Sequence, residues 1–246
     1  MFVQPAFFKL LSSRGLSLWH FLAPILGGLF LWKIYPSTGW DHSLIAPYFD
    51  LARHQFFLKD SPLLAKVMHN GLKTGLLLVP IGVFLCLAWT WYDSRLKPHR
   101  RRLAWLLTAM VTSITVVSVL KQNSIHACPW DLSMFGGLAP ELPLFSALPV
   151  GVKAGACFPG GHSSGGYAML AIYFAFRADH PRRASLGLAL GLVLGTLMGW
   201  TQMMRGAHFM SHNLWSLWVV WTVLVSLYLV WPPVIVTQKS ETSHAN

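Results

Sequence analysis

Charge is the first thing this sequence lacks. Only 11% of its 246 residues are charged, where a soluble domain carries about a quarter. Acids are scarcest: eight Asp and Glu stand against nineteen Lys and Arg. That shortage excludes an acidic solvating surface and a carboxylate-rich metal cage. Cysteine is also sparse, with three in the chain, which excludes a small disulfide scaffold. Neither an internal repeat nor a low-complexity stretch is present, so solenoids and arrays fall away.

What is abundant is apolar. Hydrophobic residues make up 54%, and mean hydropathy is +0.50. Twelve Trp and fifteen Phe suit aromatic belts at two membrane interfaces. Six apolar stretches approach the roughly 20 residues needed to cross hydrocarbon. They are about Leu16–Tyr35, Lys73–Tyr92 (with Pro80 inside), Leu103–Lys121, Ser163–Phe176, Ala184–Met203 and Phe209–Trp231. The fold expected is all-α: one polytopic unit of six transmembrane helices over residues 1–246. The polar tail, 238–246, is expected to be disordered. No small-residue cleavage site follows the first stretch, so that span is expected to remain. In the fifth stretch Gly187, Gly191, Gly195 and Gly199 recur every four residues, a spacing that lets helices approach closely.

The basic loops orient the chain. Arg95-Leu96-Lys97-Pro98-His99-Arg100-Arg101-Arg102 lies between stretches two and three, and Arg177 to Arg183 between four and five. Both are short and basic, hence cytoplasmic, and both termini follow. Eleven Lys/Arg and three acids then fall inside, a net +8 of the formal +11. This imbalance is a topology signal and not a nucleic-acid footprint. Outside lie about 36–72, 122–162 and 204–208. The first reads equally as an amphipathic membrane-lying segment or a packed loop, with Ile45, Tyr48, Phe49, Leu51, Phe56 and Phe57 among Asp50, Arg53, His54 and Lys59.

Polar residues then gather on the outer side. Pro159-Gly160-Gly161-His162-Ser163-Ser164 opens the fourth stretch, and a helix start there offers unpaired N–H groups to an anion. Lys121 closes the third stretch. Arg205, His208 and His212 begin the sixth. Ionisable groups at membrane depth are costly and mark a candidate site. His208 and His212 are four apart and share a helix face, as a metal pair would. Only Asp131 and Glu141 are at hand to complete such a set, which disfavours it.

The order Lys121…Cys128-Pro129, Pro159-Gly160-Gly161-His162, then His208…His212 resembles the type 2 phosphatidic acid phosphatase superfamily over roughly residues 70–231, with a motif core of about 103–231. The resemblance implies hydrolysis of a phosphate or diphosphate monoester on a membrane lipid. Undecaprenyl diphosphate, phosphatidylglycerol phosphate, phosphatidic acid and lipid A are the types it suggests. It implies no cofactor, no metal and a bacterial-type inner membrane, with the site periplasmic. By resemblance Lys121 and the Gly161 N–H bind phosphate, His162 is the general acid, and His208 is the nucleophile that becomes phosphohistidine. Transfer to a second lipid, or non-catalytic lipid-phosphate binding or transport, would use the same pocket.

Departures from the family pattern are several. Cys128 stands for Arg, Gly160 for Ser, Thr201-Gln202 for Ser-Arg, and His212 for the orienting Asp. Arg205 is the expected substitute cation, and Ser163 or Ser164 the substitute hydroxyl. His212 or Asp131 would orient His208. If the outer compartment is oxidising, Cys128 and Cys157 are placed to form a disulfide tying the first motif to the second; two free buried thiols are the alternative.

Overall fold

The structure, a computed structural model, describes residues 16–64, 66 and 71–234. The expected polar tail, 238–246, lies outside the described residues. The fold is mostly helical. Helix α1 covers Trp19–Leu29 and runs into a π-helical turn at Phe30–Ile34. A short helix α2 (Trp40–Ile45) and a two-stranded hairpin, β1 (Phe49–Asp50) with β2 (Gln55–Phe56), follow. The long helices are α3 (Leu72–Trp89), α4 (Arg100–Gln122), α7 (Pro181–Met204) and α8 (Met210–Val230). Between α4 and α7 lie α5 (Gly161–Tyr167) and α6 (Leu170–Phe176).

Three described helical segments are long and apolar enough to cross a membrane by length and composition: Ser94–Gln122, Pro181–Met204 and Met210–Val230. The other three expected spans are shorter. The apolar part of α3 is Thr74–Trp89. Helix α1 is 11 residues long with Pro24 inside it, and α5 and α6 are separated where the bonding tightens to i→i+3, Met169 N–H to Gly166 O and Ala171 N–H to Ala168 O. Leu78, Ile81, Phe84 and Leu85 on α3, and Leu186, Val193 and Leu197 on α7, are exposed. Exposed apolar faces of this extent suit a hydrocarbon surround better than water.

The main core lies between α4, α6 and α8. Trp105, Met110, Leu170, Phe174, Val220, Leu224 and Tyr228 are buried there. The glycine row of α7 explains how α5 and α6 fit against it. A Cβ on Gly187 would lie 2.6 Å from the Ile172 side chain, and one on Gly191 2.7 Å from the Leu170 nitrogen. Only hydrogen fits at those positions.

A second, smaller cluster caps the motif end. Ile45, Phe56, Leu132, Phe135 and Phe209 are buried together. In the segment after α1, Ile45 and Phe56 are buried in this cluster, with Tyr48 and Phe49 packed against it, as in the packed-loop alternative, whereas Leu51 and Phe57 are exposed. At the far end, Arg100 donates to the Thr90 hydroxyl and carbonyl, Arg101 donates to Pro232 O, and Arg102 pairs with Asp179. Arg100 and Lys121 sit at opposite ends of α4, about 30 Å apart.

Candidate active site

Lys121 is the last-turn cation of α4, and its aliphatic stem lies along α5. A Cβ on Gly161 would be 3.3 Å from Lys121 Cδ. The small residue therefore lets the lysine pass close to the backbone at the start of α5. Lys121, Gly161 and His162 line one cleft of about 240 Å³, together with Gly165, Ser118, Met198 and the apolar Leu76, Leu77 and Ile114. The cleft is thus basic at one side and greasy at the other.

His208 reaches this point through a glycine turn. Helix α7 ends at Met204, and Gly206 adopts φ +74°, with its N–H donating to Met203 O and the Ala207 N–H donating to Gln202 O. A left-handed glycine after the last turn is the common way to stop a helix. Here it also brings His208 round ahead of α8. The His208 and His162 rings have centroids 6.1 Å apart, and His208 is 2% exposed.

His212 follows on the first turn of α8. Its Nδ1 is 3.3 Å from His208 Nδ1, so one of the two nitrogens carries the shared proton. The His212 carbonyl accepts from the Gly160 N–H at 2.9 Å and from the Ser216 hydroxyl at 2.9 Å. The Ser216 hydroxyl also lies 2.8 Å from Gly160 O. These contacts bind the second motif to the third.

Cys128 and Cys157 are joined by a disulfide, Cα–Cα 5.2 Å. It ties the loop after α4 to the loop before α5. The two loops also run side by side: Gly155, Ala156 and Cys157 N–H donate to the carbonyls of Ile125, Ser124 and His126. Cys157 Sγ lies 3.5 Å from His208 Nδ1. The Trp130 N–H donates to Gly206 O, fastening the first motif to the glycine turn.

Several expected partners lie elsewhere. Arg205 donates from Nε to Lys59 O at 3.0 Å and from Nη1 to Gln202 Oε1 at 3.2 Å, with its guanidinium 5.9 Å from the Trp130 ring. It braces the segment at Lys59, and it is absent from the lining of the Lys121 cleft. Ser163 and Ser164 are buried and donate back to Gly160 O and Gly161 O, as serines in a first helical turn do. Their hydroxyls are taken up by the helix start. Asp131 is exposed and accepts from the Trp130 indole. Glu141 pairs with His42. The Gly160 substitution has a packing cause: a Cβ there would be 2.7 Å from Asn213 Oδ1 and 3.0 Å from Ser163 Oγ.

Two residues escaped the sequence reading. Asp41 Oδ1 accepts from the Ser211 N–H at 2.8 Å and from the Tyr35 hydroxyl at 2.9 Å, capping α8 from 170 residues away. No local pattern marks such a cap. The His126 ring lies 5.2 Å from that of Phe158 at a tilt, with Nδ1 by the Ser124 hydroxyl and Nε2 near Pro143 O. Burial holds its pKa below the ordinary imidazole value, although the Pro143 carbonyl pulls the other way. Its place five residues after Lys121, beside the first motif, was the available signal. His126, His212, Asp41, His42 and Glu141 all border a second cleft of about 440 Å³.

Cys157, His208 and His212 form the one group among the described residues with metal-ligand spacing. In the disulfide form Cys157 offers no thiolate, so the oxidised site fits no metal. A family model described as the PAP2 superfamily matches residues 102–235, more than half of the chain and the stretch that holds all three motifs. No curated protein and no solved structure matches the chain.

Proposed function

Since this chain belongs to the PAP2 superfamily, whose members are generally phosphatases acting on phosphate esters, we propose that it hydrolyses a phosphate or diphosphate monoester on a membrane lipid. The observation that carries the reading is the meeting of Lys121, Gly161 and His162 in one cleft, with the His208 ring 6.1 Å from that of His162. The apolar wall of Leu76, Leu77 and Ile114 would hold the beginning of a lipid tail.

In this reading Lys121 and the Gly161 N–H hold the phosphoryl oxygens. Phosphoryl transfer needs positioning and positive charge more than protein-derived covalent chemistry. His208 keeps its proton on Nδ1 and donates it to His212 Nδ1, which fixes the tautomer whose Nε2 is unprotonated for in-line attack on phosphorus. The P–O bond to the lipid breaks as P–N forms, and His162 protonates the departing oxygen. Water then attacks the phosphohistidine and releases phosphate. Arg205 is proposed as a brace whose guanidinium turns to phosphate when Lys59 and Gln202 release it. Ser163 and Ser164 serve by fixing the α5 start, and Asp131 by fixing the first-motif loop.

Six membrane passages, cytoplasmic termini and an outward-facing site belong to the same proposal. The support is the basic Arg100–Arg102 end lying opposite Lys121 along α4. The test is a panel of lipid phosphates and diphosphates with purified protein. His208→Ala should abolish phosphate release and trapping of labelled phosphoenzyme. His162→Ala should lower kcat about 10²–10⁴-fold while phosphoenzyme still forms on substrates with good leaving groups. Full turnover by His208→Ala would overturn the mechanism. Label appearing on a second lipid instead of in free phosphate would make the protein a phosphotransferase.

A further inference from the structure

The Cys157 sulfur of the disulfide lies beside His208. Cys157 Sγ, His208 Nδ1 and His212 Nδ1 are buried, and the ligand atoms of these three residues lie within 4.8 Å of one another. The two nitrogens are 3.3 Å apart, and the sulfur is 3.5 Å from His208 Nδ1. A tetrahedral zinc ion, bound at about 2.05 Å to nitrogen and 2.3 Å to thiolate, spaces its ligands about 3.4 Å (N to N) and about 3.6 Å (N to S). The observed spacings match two edges of such a tetrahedron. What the oxidised protein lacks is the thiolate, since sulfur binds metal well only in that form.

We propose that reduction of the Cys128–Cys157 disulfide turns Cys157, His208 and His212 into a three-ligand site for zinc or a similarly soft divalent ion, with a fourth position open. One thiolate and two imidazoles select such ions over magnesium or calcium. The reduction is ordinary chemistry. A phosphine takes oxygen from water and becomes its oxide; the S–S bond accepts two electrons, and the two protons of the water end on the Cys128 and Cys157 thiols. A dithiol achieves the same by exchange, leaving as its own disulfide. Zinc then displaces the Cys157 thiol proton to solvent. The oxidised bond thereby keeps metal off His208. The metal site does not depend on the phosphatase reading; its consequence for turnover does, because the ion takes the Nδ1 position through which His212 orients His208.

The test uses the full chain in detergent as oxidised wild type, phosphine-reduced wild type, Cys128→Ser and Cys157→Ser. Each is given zinc, desalted and its metal counted, and cobalt is then used as a spectroscopic probe. Reduced wild type and Cys128→Ser should retain about one zinc per chain and show a thiolate-to-cobalt charge-transfer band, whereas oxidised wild type and Cys157→Ser should do neither. The proposal is overturned if reduced wild type holds no more zinc than Cys157→Ser, or if cobalt binds without the thiolate band. Cys128→Ser checks that reduction acts through this bond, and if that variant misfolds the reduced wild type still decides. Zinc should suppress turnover of the reduced enzyme and a chelator restore it. Unchanged turnover with zinc bound would overturn the effect on His208 alone. Absence of turnover in oxidised wild type would instead count against the phosphatase reading and leave the metal count standing.

Discussion

Asp41 accepts two hydrogen bonds at one oxygen, from the Ser211 N–H and the Tyr35 hydroxyl. Ser211 lies between His208 and His212, so this carboxylate fixes the turn that carries both. It also places a negative charge at the positive end of α8. Removing it leaves an uncapped helix start and a hydroxyl on a side chain only 3% exposed. Asp41→Ala should cost about 1–3 kcal/mol, read as a lowered unfolding midpoint in detergent, with Asp41→Asn costing less because an acceptor remains. Equal midpoints for Asp41→Ala and wild type would show that the cap carries nothing. Gly160 poses the opposite problem. Restoring the family's serine there would push a side chain against Asn213 Oδ1 and Ser163 Oγ. Gly160→Ser should therefore destabilise by about 1–3 kcal/mol and recover no activity. A gain in turnover would mean that the neighbours yield more readily than their spacing suggests.

Helix α7 is the element on which the others are fitted. Its glycine row was legible in the sequence as a close-approach surface, because a four-residue repeat of small residues has one helical meaning. The partner was not legible: nothing in the repeat says that α5 and α6 fill it. Gly195 makes the point most sharply, since a Cβ there would enter the Tyr167 ring. Tyr167 is 2% exposed and has no room to retreat. Gly195→Ala should cost about 1–3 kcal/mol and, by shifting the helix that begins at Gly161, should lower kcat more than it raises KM. Gly165 is an internal control for the stability cost alone, since it lines the Lys121 cleft but a Cβ there meets nothing within 4 Å. The break between α5 and α6 was less legible. The apolar run from Ser163 to Phe176 is continuous, and periodicity does not report a change from i→i+4 to i→i+3 bonding.

At the scale of the molecule, the chain is a bundle with two polar ends. The motif end was readable because Lys121, His162 and His208 keep a family order that survives changed neighbours. The fate of Arg205 was not, since its partners, Lys59 and Trp130, lie far away in sequence. The other end was readable as a charge excess but not as an interlock. Arg100, Arg101 and Arg102 each reach a different neighbour: the end of α3, the residues after α8, and Asp179 between α6 and α7. Asp179 loses some solvation by burial, which raises its pKa. Hydrogen bonds from His180 and Arg102 outweigh this and hold the carboxyl below its ordinary value of 3.8. A depressed carboxylate pKa stabilises the folded state above the unfolded pKa, and the contribution fades as pH falls through the folded value. Asp179→Asn should therefore unfold at a lower temperature than wild type between about pH 7 and pH 5, and the margin should close below about pH 4 as the wild-type carboxyl becomes neutral like the amide. Salt should shrink the margin only partly, because Arg102 is nearly buried while Asp179 is about one-third exposed. A margin that persists unchanged into acid would show that shape, and not charge, makes Asp179 the link between α4 and the α6–α7 loop.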